Sequence, residues 1–174
     1  AHHFVAEHME SNGMVVCQNT PDGEKIDYCT VHVPICGLIK LAEIIRETNV
    51  RESRWLFERA EKLADYVCAR ALSFPTEGEA CTEDGSMSCS AITLLWAYQH
   101  ISQKEKYLQT ANVILDYHEP LVLNGTDCRQ KNSSVRFWET QYESRDWGPS
   151  INAGHAWSIW TAEAKALLAQ VTGN

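Results

Sequence analysis

The sequence lacks long hydrophobic runs, has little positive charge and contains few prolines and glycines. No apolar stretch approaches the roughly 18 residues that a transmembrane helix needs, so no membrane partner is expected. Fifteen lysines and arginines stand against 23 acidic residues, and the net charge of −8 argues against a nucleic-acid partner, since phosphate binding needs a basic face. Five prolines, nine glycines and 44% hydrophobic residues among 174 are typical of one globular domain, or of a fragment of a larger one.

Several catalytic and metal-binding motifs are also missing. There is no P-loop, G-x-G-x-x-G, G-x-S-x-G or H-E-x-x-H, which argues against nucleotide binding, serine-hydrolase chemistry and zinc proteolysis. The seven cysteines form no C-x-x-C pair and several fall within helical patterns. We therefore expect free thiols and a cytoplasmic location rather than a disulfide framework or a zinc site. The sequence implies no metal and no other cofactor.

Helical periodicity accounts for most of the chain beyond residue 30, so the predicted fold is all-α. Five helices are predicted, over Val31–Thr48, Glu52–Leu72, Ser86–Ser102, Lys104–Tyr117 and Asn152–Val171. Residues 1–29 are expected to be irregular or to form short strands, because they carry a turn sequence and no helical pattern.

The predicted helices fall into two classes by charge. The first, third and fifth carry few charged residues, which is typical of helices surrounded by others. The second and fourth carry outward charges such as Glu58 and Lys62 at i,i+4 spacing, which is typical of an outer layer. The weakly charged helices start near residues 31, 86 and 152, so the sequence predicts helical hairpins with inner and outer helices in alternation.

The densest chemistry lies between Arg136 and Trp160, in R-F-W-E-T-Q-Y-E-S-R-D-W-G-P-S-I-N-A-G-H-A-W-S-I-W. Four of the six tryptophans occur there, beside carboxylates, arginines, a tyrosine and a histidine. Aromatic faces, bidentate hydrogen-bonding groups and proton-transfer groups together suit a polar ring-shaped ligand such as a sugar.

The helix alternation and the segment W-G-P-S-I-N-A-G-H-A-W-S-I-W resemble the α/α toroids, the six-hairpin glycosidase-like superfamily of glycoside hydrolases, polysaccharide lyases and sugar epimerases. The segment is similar to the Gly-His or Gly-Gln-x-Trp entry into an inner helix, and E-D-G-S-M-S-C-S looks like a second such entry. The resemblance covers residues 27–172 as architecture and a much shorter stretch as motif. It implies a partial toroid, either the C-terminal portion of a longer enzyme or a ring completed by self-assembly.

Toroid active sites lie where loops lead into or out of inner helices, so the resemblance implies that polar groups preceding the inner helices converge. The candidate catalytic residues are Glu139, Tyr142, Glu143, Asp146 and His155. The candidate substrate-binding residues are Asp27, Asp84, Trp138, Arg145, Trp147 and Asn152.

One reaction that these residues suit is glycoside hydrolysis. It needs two carboxylic acids, one with its pKa raised by an apolar environment and one kept ionised. Glu139, Glu143 and Asp146 are the candidates, and Trp138 or Trp147 could supply the apolar environment. The competing interpretation is a solvated turn in which these carboxylates pair with neighbouring arginines.

The other reaction is β-elimination from a uronic acid. Arg145 would neutralise the substrate carboxylate, while Tyr142 or His155 removes the α-proton. Asn152 is also a candidate N-cap of the fifth helix.

The expected function is therefore a carbohydrate-active enzyme, with a glycoside hydrolase preferred over a polysaccharide lyase. The alternative is a non-catalytic helical-repeat module that binds sugar or protein through its Trp-rich loop.

Overall fold

The computed structural model is mostly helical, in agreement with the predicted fold class. It describes residues 2–19, 25–27, 32–70, 84–118, 122–123, 136–137 and 158–173. The helices are α1 (His2–His8), α2 (His32–Ile45), α3 (Val50–Arg70), α4 (Asp84–His100), α5 (Glu105–His118) and α6 (Ser158–Thr172). The strands are β1 (Val16–Asn19), β2 (Lys25–Asp27), β3 (Val122–Leu123) and β4 (Arg136–Phe137). They form two antiparallel two-stranded ribbons, β1 with β2 and β3 with β4. Within the described ranges, no helix has both the length and the apolarity to cross a bilayer.

Two antiparallel hairpins organise the helices. A turn at residues 46–49 joins α2 to α3, and a turn at residues 101–104 joins α4 to α5. Asn49 begins α3 as its N-cap, because its Oδ1 accepts a hydrogen bond from the backbone N–H of Glu52 at 3.2 Å and its side-chain amide donates to the Glu52 carboxylate at 2.6 Å. Helix α4 lies at the centre and packs against α2, α3, α5 and α6.

Helix α4 is buried on all sides over much of its length. Every residue from Ser88 to Leu95 is buried, and Ile92, Leu94 and Leu95 have no exposed surface. Each such side chain stabilises the fold by about 1.5 to 3 kcal/mol through the apolar area it removes from water. The prediction that the third helix is surrounded by others is confirmed.

Helices α3 and α5 are amphipathic and bury one stripe each, as expected of an outer layer. The buried apolar stripe of α3 comprises Leu56, Ala60, Leu63, Ala64 and Val67. That of α5 comprises Tyr107, Ala111, Ile114 and Leu115. Their remaining faces carry the charged residues that the sequence pattern places outside.

The helical periodicity of the sequence predicts that Ile44 lies on the apolar face of the first helix, and that Ile159, Ala162 and Ala166 lie on that of the fifth, and these assignments are wrong. Ile44 of α2 is 76% exposed and Ile159 of α6 is 68% exposed, and Ala162 and Ala166 are also exposed. Among the described residues, α6 packs chiefly against α4, so one side of it is covered while the other is not. Trp160, also in α6, is half-buried and packs against the core.

The N-terminal region contains a helix that the sequence pattern does not predict. Helix α1 places Ala6 fully inside the core, and Met9 just after it is 5% exposed. The following turn contains Gly13 at φ 98°, where a Cβ would collide with the backbone carbonyl of Lys62 in α3. The short strands expected in this region are present as β1 and β2.

Candidate functional site

A buried hydrogen bond fixes the relative direction of α4 and α6. The hydroxyl groups of Ser88 and Thr161 lie 2.6 Å apart, and these residues are 0% and 3% exposed. Ser88 is in the second turn of α4 and Thr161 is in the first turn of α6. Because the two helices pack against each other and meet near their first residues, they begin at the same end of the molecule and run in the same direction.

A polar contact fixes the direction of α2 in the same way. Glu43 accepts a hydrogen bond from Lys40 at 2.9 Å, and its second oxygen lies 2.9 Å from Nδ1 of His100. Glu43 is near the last residue of α2, and His100 is the last residue of α4. Helices α2, α4 and α6 are therefore parallel. We call the end where they begin the start end, and the end with the turns 46–49 and 101–104 the turn end.

Two of the eleven candidate residues lie within the described ranges. Asp84 is the first residue of α4 and lies at the start end. Asp27 is the last residue of β2, where it pairs with Val16 of β1, and α2 begins five positions later at His32. The others lie outside the described residues, namely Trp138, Glu139, Tyr142, Glu143, Arg145, Asp146, Trp147, Asn152 and His155. The chain that carries them leads into α6, whose first residue Ser158 is at the start end.

A mixed polar and aromatic cluster lies at the turn end, between α2 and α4. The rings of Trp96 and His100 stack with centroids 4.7 Å apart at 20°, and Nζ of Lys40 lies 5.3 Å from the Trp96 centroid. The hydrogen bonds that Glu43 receives from Lys40 first and from His100 lower the pKa of its carboxyl. Glu43 is therefore ionised at neutral pH, which suits a link between two helices and excludes a role as general acid.

The indole Nε1 of Trp96 is buried and finds no acceptor among the residues that the structure describes. Sequence reasoning did not connect this cluster, because Glu43 and His100 are far apart in the chain and neither belongs to a motif. The one available signal was a histidine near the end of a helix, where a cation offsets the helix dipole.

A second polar cluster joins the outer helices α3 and α5. Tyr107 donates a hydrogen bond to Asp65 at 2.5 Å, Lys106 pairs with Asp65 at 2.7 Å, and Lys104 pairs with Glu61 at 2.8 Å. Burial raises the pKa of Asp65, but the hydrogen bonds from Lys106, Tyr107 and Lys104 outweigh it and leave the pKa below its usual value. Burial, and then the bond to Asp65, raises the pKa of Tyr107, so its phenol stays protonated. The cluster links α3 to α5 and has a structural role.

The described cysteines whose side chains are placed are free thiols: Cys36, Cys68 and Cys89. Burial, and after it the charge of Glu163, raises the pKa of Cys36 to about 12. A thiol that stays protonated at neutral pH is a poor nucleophile.

Comparison with known proteins provides no family assignment. No protein-family model matches the chain, and no curated protein or solved structure matches it either. In the described part of the chain, no group of three or more histidine, cysteine, aspartate or glutamate side chains is placed to hold a metal ion. The candidate site therefore rests on the shared direction of α2, α4 and α6 and on the residues near their first turns.

Proposed function

We propose that the chain is part of a carbohydrate-active α/α-hairpin enzyme whose site lies at the start end of the inner helices. The observation that carries this proposal is the shared direction of α2, α4 and α6, set by the Ser88–Thr161 and Glu43–His100 contacts. Because all three helices begin at one end, the segments leading into them arrive at that same end. Those segments contain the sequence-predicted carboxylates and aromatic residues.

The electrostatics of three parallel helix starts favour this chemistry. Each helix N-terminus carries a partial positive charge of roughly half an elementary charge. Three of them at one end stabilise ionised carboxylates there and favour the neutral form of a histidine close to a helix start. A catalytic carboxylate, a neutral imidazole base and an anionic sugar would each gain from that potential.

Within this proposal, hydrolysis is assigned to the carboxylates. Two of Glu139, Glu143 and Asp146 act as general acid and as base or nucleophile, and the apolar surface of Trp138 or Trp147 raises the pKa of the acid. Elimination from a uronic acid is the second reaction, since the same stretch also holds an arginine, a tyrosine and a histidine.

The test is turnover by the 174-residue chain on neutral and uronic-acid oligosaccharides. Release of reducing ends without ultraviolet absorbance indicates hydrolysis, whereas absorbance from a new C4–C5 double bond indicates elimination. The single variants Glu139→Ala, Glu143→Ala, Asp146→Ala and His155→Ala are compared with the wild type. We expect at least two of them to lose about a hundredfold or more in turnover while they fold normally, because general acid–base groups contribute on that scale.

The matched control is Glu47→Ala, which removes an exposed carboxylate in the turn between α2 and α3, at the opposite end of the molecule. It should retain full turnover. If the wild type cleaves no oligosaccharide, or if all four variants fold and cleave like the wild type, the enzyme proposal is wrong. Sugar binding without cleavage, lost on changing Trp138 or Trp147, would favour the non-catalytic module instead.

A further inference from the structure

A groove of about 310 Å³ lies at the turn end, on the outside of the molecule. Its walls come from the turn that follows α2, from the part of α3 between Val50 and Glu61, and from Ile101 after α4. The floor is apolar, since Val50 is 60% exposed into solvent and Phe57 and Ile101 are half-buried. An exposed valine beside a partly covered aromatic ring is a surface that gains free energy when an apolar group covers it.

Two guanidinium groups edge this groove without acidic partners. Arg46 and Arg54 are exposed, and neither forms an ion pair with any carboxylate in the part of the chain that the structure describes. Glu61 on the same wall is already paired with Lys104 at 2.8 Å. Glu58 also lines the groove, one helical turn beyond Arg54, but no ion pair joins the two. Because Lys104 offsets Glu61, the arginines Arg46 and Arg54 outnumber the one remaining lining carboxylate, Glu58, and leave the groove with one net positive charge.

We infer that this groove binds a peptide segment in which a carboxylate stands beside an aliphatic side chain. Arginine presents a planar fork of donors that matches a carboxylate with two parallel hydrogen bonds, so Arg46 and Arg54 select the anion. Val50, Phe57 and Ile101 select the aliphatic neighbour.

A peptide fits the groove better than a sugar does. Sugar recognition uses exposed aromatic faces, and the groove lining contains no tryptophan or tyrosine and only the half-buried ring of Phe57. The groove is at the turn end, opposite the proposed sugar site. Loss of one binding activity therefore leaves the other measurable, and the two proposals fail separately.

The experiment measures fluorescence anisotropy of a labelled hexapeptide of alternating leucine and glutamate, titrated with the 174-residue chain at low ionic strength. The matched probe replaces each glutamate with glutamine. We expect the acidic peptide to bind with a Kd below about 1 mM, as for small transient contacts, and the glutamine peptide to bind at least tenfold more weakly.

The variant that tests the site is the double change Arg46→Gln with Arg54→Gln, expected to weaken binding about tenfold. Its control is Arg51→Gln, which removes one exposed arginine of the same helix from outside the groove and should change binding less than twofold. Val50→Asp should also abolish binding, because it places a charge on the floor. Circular dichroism checks that each variant folds.

Three outcomes would overturn the inference. Equal losses in the double variant and in Arg51→Gln would mean that the peptide senses only general charge. Equal binding of the two peptides, or no binding of the acidic peptide up to about 1 mM, would mean that the groove does not select carboxylates. Displacement of the peptide by glucuronate or phosphate at equal concentration would mean that the groove is a simple anion site.

Discussion

The hydrogen bond between Ser88 and Thr161 allows the helix arrangement to be tested by a double-mutant cycle. Both hydroxyls are buried, and their 2.6 Å separation sets the shared direction of α4 and α6. The perturbation is Ser88→Ala, Thr161→Val and the two together. If the helices are arranged as described, the single changes are coupled, because each leaves the other hydroxyl without its partner.

The magnitudes follow from the burial of the pair. An unpaired buried hydroxyl costs about 1 to 3 kcal/mol of unfolding free energy, from which Ser88→Ala regains about 0.5 kcal/mol through the better helix propensity of alanine. Thr161→Val replaces a hydroxyl by a methyl group of similar size and leaves Ser88 unpaired. In the double variant no polar group is stranded, so its loss should be smaller than the sum of the single losses by about 1 to 2 kcal/mol.

The assay is urea unfolding followed by circular dichroism, with the unfolding free energy extrapolated to water for all four proteins. The control pair is Thr161→Val with Ser53→Ala. Ser53 is also buried and donates to the carbonyl of Ala42 at 2.8 Å, but it lies in α3 near the turn end. Sites that share no partner add to within about 0.5 kcal/mol, so this pair should show no coupling.

Additive losses in the Ser88 and Thr161 cycle would refute the reasoning. They would mean that the two hydroxyls do not meet, and that α4 and α6 do not begin at one end in the way that the proposed site requires. Equal coupling in the control pair would show that the cycle reports a general loss of cooperativity instead of a contact.

Two further predictions concern the polar cluster that links α3 to α5 and, separately, the buried stretch of α4. Tyr107→Phe removes the hydrogen bond to Asp65 and should cost about 1 to 2 kcal/mol of unfolding free energy at pH 7, less if solvent screens the pair. The pKa of Asp65 is lowered by folding, so its contribution is present above its unfolded pKa of about 4 and is lost as the pH falls through the folded pKa. Urea midpoints for Tyr107→Phe and wild type should therefore converge as the pH falls below about 4, and a constant gap would contradict the carboxylate's role. Leu94→Ala, in the fully buried stretch of α4, should cost about 2 to 5 kcal/mol in a thermal melt. Val113→Ala, at a residue 53% exposed on α5, should cost less than about 0.5 kcal/mol, and similar losses from both would contradict the assignment of α4 as the central helix.

Much of the helical fold could be predicted from the sequence, because the signal is periodic burial. The apolar stripe of α3 and its charged opposite face allow only one orientation of the helix against the core. Its predicted bounds differ from Val50–Arg70 by two residues at each end. The predicted start of the third helix, Ser86, likewise differs by two residues from the observed Asp84. These helices are set by local pattern, so local reading suffices.

The errors came from positions that tertiary contacts decide. Ile44 and Ile159 fit the helical stripe but lie outside it, because hydrophobicity does not tell which side of an edge helix finds a neighbour. Helix α1 could not be predicted, because seven residues give too short a periodic pattern and its contact with the core is made by Ala6 and by Met9 just after it. Gly13 was a local signal of this packing, because a glycine allows the backbone to approach the backbone of Lys62 closely.

The candidate site could be listed from the sequence but not assembled from it. Asp27 precedes α2 and Asp84 is the first residue of α4, yet only three-dimensional contacts such as Glu43 with His100 show that those two helices begin at the same end. The residues from Trp138 to His155 lie outside the described part of the chain, so their chemistry remains a prediction. The opposite holds for the polar cluster of Glu43, Trp96 and His100. Its members contact one another in the structure, but no sequence motif connects them.

The measurement that tests the central proposal most directly is reducing-end release from an oligosaccharide panel by the full chain and by one quadruple variant. That variant changes Glu139, Glu143, Asp146 and His155 to alanine together. The account predicts release of sugar by the wild type, no detectable release by the variant, and unfolding free energies that agree within about 1 kcal/mol. Equal release by both proteins, or no release by the wild type on any sugar, would contradict it.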